Sequence, residues 1–121
     1  MKTAALVLIA GILPGCIGQS QCKENPKVIA ACYVVHGRLT LGADTIRLRI
    51  WPVGTARMLG VTGGPIPDDA DAPIAPKSLS FGPEAYPIYG DFKVCPFTPE
   101  RKGEMQMVCI ESATHLILAK H

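Results

Sequence analysis

Residues 33–61 read YVVHGRLTLGADTIRLRIWPVGTARMLGV, and the middle of this stretch decides the fold. Ile46, Leu48 and Ile50 alternate there with Arg47, Arg49 and Trp51. A period of two sends one set into a core and the other toward water, as in a half-buried β-strand. Upstream, Tyr33, Val35, Leu39 and Leu41 share one parity, and His36, Arg38 and Thr40 share the other. Gly42-Ala43-Asp44 between the two runs suits a hairpin turn. Gly37 interrupts the first run, where a missing side chain marks a bulge or a close backbone approach. Pro52 stops ladder donation on the second strand, and Ala56 to Val61 reads as a third after a turn at Val53-Gly54-Thr55.

The flanks continue the pattern. The first strand region opens at Val28, and further strand candidates fall in Lys77–Phe81, Tyr86–Phe97 and Met105–Ala119. The last of these is either two strands broken near Ser112–Thr114 or a strand followed by a short helix. Twelve glycines and eleven prolines in 121 residues favour turns and short strands over long helices. The expectation is an all-β domain over residues 28–121, built from five to seven short strands. It is a small antiparallel sandwich or a partly open barrel of the OB kind. Residues 16–27 are polar and read as a tether. Residues 62–76, with four prolines and three aspartates, read as a long, locally stiff loop suited to touching a partner.

Residues 1–15 carry Lys2 and then an apolar run from Ala4 to Leu13. The run is too short to cross a bilayer and fits a signal peptide. Leu13-Pro14-Gly15-Cys16 resembles the lipobox of bacterial lipoproteins, with Pro14 departing from the usual small or apolar residue. That resemblance implies a diacylglycerol on the Cys16 sulfur, cleavage before Cys16 and acylation of the new amine. Ordinary cleavage after Ser20 is the other route. Both export the chain and leave Cys22, Cys32, Cys95 and Cys109, an even set for two disulfides in an oxidising compartment. A hairpin of Gly90–Phe97 and Met105–Ile110 would set Cys95 opposite Cys109. The expected pairing is therefore Cys95–Cys109 with Cys22–Cys32. Closing the loop of about 15 residues between the first pair would contribute about 3 kcal/mol in the chain-entropy model.

A wider resemblance rests on four groups of residues. They are Cys32 with His36-Gly37-Arg38-Leu39; Arg49-Ile50-Trp51 with Gly54-Thr55, Arg57 and Leu59-Gly60-Val61; Tyr89-Gly90-Asp91-Phe92 with Val94-Cys95-Pro96-Phe97-Thr98; and Gly103 through Cys109 with Glu111-Ser112-Ala113. Together they resemble small exported bacterial proteins of uncharacterised function. The resemblance implies export to the cell envelope and a shared fold, and it transfers no site residue.

The net charge of +2 gives no global pull toward nucleic acid or anionic lipid, and no nucleic-acid partner is expected. Charge is instead uneven. Arg38, Arg47, Arg49 and Arg57 face only Asp44 between residues 36 and 57, whereas Asp68, Asp69, Asp71, Glu84 and Asp91 outweigh Lys77 between 62 and 91. The parity reading puts His36, Arg38, Arg47, Arg49 and Trp51 on one surface, with Arg57 nearby. Arginine beside an aromatic stacks and grips carboxylate or phosphate, so this is the candidate face for an anionic envelope component or a protein partner. The competing reading is a solvated face whose arginines pair locally. No cofactor and no metal are expected. Asp68-Asp69-Ala70-Asp71 lacks an EF-hand pattern, Met105, Met107 and Cys109 read as core, and His36, His115 and His121 show no ligand spacing. Cys95 or Ser112 with His36, His115 and Asp91 can be combined into a nucleophile set, but no local catalytic motif accompanies them. The pattern favours a non-enzymatic binding or structural module. A small secreted hydrolase or metal protein built on His36 and nearby carboxylates is the alternative.

Overall fold

The computed structural model describes residues 22–42, 46–66, 74–76, 79 and 87–118. They form β1 (Tyr33–Leu41), β2 (Leu48–Pro52), β3 (Leu59–Val61), β4 (Ile88–Pro96) and β5 (Gln106–Leu118), preceded by a 3₁₀ turn at Cys22–Glu24. The strands close into a barrel in the order β1-β2-β3-β5-β4, with β4 returning to β1. Every pairing is antiparallel except β3 with β5. This is the five-stranded order of an OB barrel. The sandwich is thus set aside, and the barrel is closed rather than partly open.

Leu39, Ile50, Leu59, Val61, Phe92, Val94, Val108 and Ile110 fill the interior, with Tyr33, Val35 and Leu48 packed against them. The parity reading therefore holds for Tyr33, Val35 and Leu39 of β1 and for Leu48 and Ile50 of β2. Ile46 departs from it. β2 begins only at Leu48, so the alternation does not extend back to Ile46. Its Cγ2 and the sulfurs of Met105 and Met107 instead crowd Gly60, all within 3.1 Å of where a Cβ would stand. Gly60 alternates with the core residues Leu59 and Val61, so these three side chains cover the outer side of β3.

The barrel owes its length of β5 to stagger. From Leu39 the register runs through Ile50 and Leu59 to Gln106 on β5. In the other direction it runs through Ile88 to Leu118 on the same strand. A narrow barrel closes only if its strands tilt and their register slips this way. Two bulges in the β4–β5 ladder, at Tyr89/Asp91 and Lys93/Val94, absorb part of the slip. Residues 106–118 are accordingly one 13-residue strand, neither broken near Ser112–Thr114 nor followed there by a helix. Beyond β3 the other edge of β5 is partly covered, the Ile110 amide donating to the Ile74 carbonyl at 2.8 Å.

Cys95 and Cys109 do stand opposite each other in the β4–β5 ladder. They are not bonded to each other: the disulfides are Cys22–Cys109 and Cys32–Cys95. The cause is the arm ahead of β1, which lies across this end of the barrel. The Lys23 amide donates to Glu111 Oε1 at 2.9 Å, Asn25 Nδ2 to the Gly63 carbonyl at 3.0 Å, and the Ile29 amide to the Pro96 carbonyl at 3.0 Å. Cys22, Cys95, Phe97 and Cys109 form a second small core there, with Val28, Cys32 and Met107 against it. Residues 22–27 are thus part of the fold rather than of a tether. The signal segment with Cys16, residues 43–45 of the expected hairpin turn, the acidic run 68–71 and most of 77–81 lie outside the described residues.

Candidate functional site

The outer wall of β2, β1, β4 and β5 carries two neighbouring rows of polar side chains. Register partners point to the same side of a sheet, so the rows follow from the ladder. Arg38 pairs with Trp51 on β2 and with Tyr89 on β4. One step along, His36 pairs with Asp91, and Asp91 with Thr114 on β5. Arg49 stands outward opposite Thr40.

In the first row the Arg38 guanidinium lies 5.2 Å from the centre of the Trp51 ring. The indole is fixed in turn, Nε1 donating to the Thr55 carbonyl at 2.8 Å. Arg38 Nε is buried and has no hydrogen-bond partner. Gly37 makes this close approach of β1 to β2 possible. A Cβ there would come within 2.7 Å of Ile50 Cγ2 and 2.8 Å of the Trp51 carbonyl oxygen.

In the second row one carboxylate holds two imidazoles. Asp91 Oδ1 lies 2.9 Å from His36 Nδ1, and Asp91 Oδ2 lies 2.9 Å from His115 Nδ1. The hydrogen bond from His36 is the largest influence on the Asp91 carboxyl, and with that from His115 it holds the group below its ordinary value of 3.8 despite some desolvation. An ionised carboxylate only accepts, so in both rings Nδ1 carries a proton and donates. His115 reaches Asp91 because the chain is bent to place it there. It sits at φ 55° beside the Tyr89/Asp91 bulge, a conformation uncommon for a residue other than glycine. Gly90 opposite has no side chain, and Leu116 Cδ2 lies 2.6 Å from where its Cβ would be.

No family model, curated protein or solved structure matches this chain. Its site is therefore read from its own geometry.

Of the residues singled out by alternation, His36, Arg38, Arg49 and Trp51 share the wall. Arg47 is exposed just ahead of β2, and Arg49 turns its Nε to the Ile46 carbonyl at 3.0 Å. Arg57 leaves the group. Its Nη2 donates to Gln106 Oε1 at 3.0 Å, and its Nη1 lies 3.5 Å from Glu100 Oε2. The same Gln106 oxygen accepts the Tyr33 hydroxyl at 2.6 Å, while Gln106 Nε2 donates to the Thr98 carbonyl. Burial raises the Tyr33 phenol above its ordinary value of 10.0, with Arg57 beside it pulling the other way. Arg57 also lines an open cleft of about 660 Å³ between residues 56–58 and 100–105.

The nucleophile sets drawn from sequence do not assemble. Cys95 is consumed in a disulfide. Ser112 lies opposite Lys93. Alternation could find His36 but not His115, because a bulge breaks the rule that alternation relies on. Asp91 and His115 become partners of His36 only through the register.

Proposed function

We propose that this protein is an exported, non-enzymatic binding module of the bacterial cell envelope, lipid-anchored through Cys16, that takes an anionic envelope component on its outer wall. The observation that carries the ligand class is the Arg38–Trp51 stack. A guanidinium held over an indole can pair with a carboxylate while the ring offers apolar area to a sugar or other apolar surface. Arg47 and Arg49 add positive charge close by. The export half of the reading rests on the signal-like segment, the Leu13–Cys16 motif and the two disulfides.

Trp51 is the single tryptophan, so intrinsic fluorescence reports this wall directly. A uronic-acid polysaccharide should quench or shift it saturably, a neutral polysaccharide should not, and salt should weaken the response. Arg38→Ala should lower the affinity at least tenfold. Equal response to both polysaccharides, or none to either, would remove the anionic-ligand reading. The intact mass of protein from the membrane fraction, with and without Cys16→Ser, tests the anchor.

The hydrolase alternative keeps one observation, the bond from His36 to Asp91 at 2.9 Å. The cleft lined by residues 56–58 and 100–105 contains neither residue. A hydrolytic activity abolished by His36→Ala would favour this alternative over the module.

A further inference from the structure

We infer that Cys32 is a thiolation site for small thiols, and that attack there is relayed through the two disulfides to release Cys22 and its arm. The four cysteines differ in access. Cys22, Cys95 and Cys109 are fully buried, whereas Cys32 is only half-buried. An incoming thiolate therefore meets the Cys32–Cys95 bond at the Cys32 sulfur. The small thiol joins Cys32, the Cys32–Cys95 bond breaks, and Cys95 leaves as a thiolate.

That thiolate forms beside the second disulfide. The sulfurs of Cys22, Cys95 and Cys109 lie within 4.8 Å of one another, and Cys109 Sγ is 3.8 Å from the Cys95 carbonyl oxygen. Cys95 and Cys109 are also register partners. Such partners have Cα atoms about 4.5–5.5 Å apart, within the span of a disulfide. Attack by Cys95 on Cys109 Sγ forms Cys95–Cys109 and breaks Cys22–Cys109. Cys22 leaves as a thiolate and takes a proton from water. One thiol is consumed and one released, and the number of disulfide bonds is unchanged, so no oxidant or reductant is required.

Burial sets the direction. Apolar surroundings disfavour a thiolate, and Phe97, Val28 and Met107 surround these sulfurs. Cys95 and Cys109 are held within the β4–β5 ladder. Cys22 lies in the 3₁₀ turn of the arm, followed by exposed Lys23 and Glu24, so its sulfur is the one that can swing out to water.

The test treats native, oxidised protein carrying Cys16→Ser with cysteamine, followed by acid quench, alkylation in denaturant and non-reducing tryptic mapping. Lysine or arginine separates the four cysteines, so each falls on its own peptide. The expected product carries cysteamine on Cys32, an alkyl group on Cys22 and a Cys95–Cys109 cross-link, in equal amounts. Native proteolysis at Lys23 and Lys27 should quicken in step with its yield. Cys22→Ser/Cys109→Ser removes the acceptor, so there Cys95 should carry the alkyl group while cysteamine still adds to Cys32. Cysteamine adding first to another cysteine would overturn the inference. So would alkylated Cys95 with Cys22–Cys109 intact in the parent, or no adduct before Trp51 fluorescence reports unfolding.

Discussion

At the scale of single residues, Asp91 and three glycines make the sharpest predictions. The folded-state pKa of Asp91 is depressed by the hydrogen bonds from His36 and His115. Its contribution to stability is therefore present above the unfolded carboxylate value and disappears as pH falls through the folded one. Asp91→Asn should destabilise the protein in urea at neutral pH, and the difference from the parent should vanish in strong acid. NMR titration of the carboxyl should show a larger upward shift for His36→Ala than for His115→Asn. Gly37→Ala should cost about 2 kcal/mol, since its Cβ meets a β2 carbonyl and a fully buried isoleucine rather than a movable chain end. Gly90→Ala should push Leu116 aside and loosen the His115 contact, moving the Asp91 carboxyl back toward 3.8. Gly103 is different: nothing lies near it, but its φ is 81°, so Gly103→Ala is strained by backbone alone, by about 1–2 kcal/mol. Sequence marked Gly37 as either a bulge or a close approach because it interrupts the alternation of β1. It could not disclose Gly90, whose role depends on a bulge in the neighbouring strand.

At the scale of elements, the arm and β5 decide most. The expected Cys95–Cys109 bond would have stapled a hairpin that backbone hydrogen bonds already join. The observed bonds, 87 and 63 residues apart in sequence, tie the arm to β5 and the start of β1 to β4. In the chain-entropy model a loop of either length contributes on the order of 4 kcal/mol. The double variant Cys22→Ser/Cys109→Ser should lower the melting temperature and bring forward proteolysis near Lys23 and Lys27, while β4–β5 amides stay protected. The sequence revealed the opposition of Cys95 and Cys109 because strand spacing is local. It concealed the partners because the arm's docking depends on Glu111, Gly63 and Pro96, three distant positions. The two halves of β5 also differ. Residues 106–111 are mostly buried, whereas 112–118 are mostly exposed, including Leu116, Ile117 and Leu118. Hydrogen exchange should therefore be slow in the first half and faster in the second.

At the scale of the whole molecule, the period-two reading was enough to give an all-β domain, a sandwich or a barrel, because alternation is what a half-buried strand imposes on a sequence. It did not give closure, which depends on β1 meeting β4 and β3 meeting β5 across long stretches of chain. Such distant pairings slow folding, so refolding with disulfides intact should outpace refolding from the reduced chain, as stopped-flow fluorescence of Trp51 would show. Around the barrel, Gln106 and the disulfides gather at the end where β1 begins, and Leu118 lies beside Ile88 at the other. A lipid on Cys16 would have only six peptide steps to Cys22, a leash of at most about 20 Å. The stapled end would then be moored close to the bilayer. The arginine and histidine rows would face sideways, parallel to the membrane plane, and sample what lies between the anchored molecule and its neighbours.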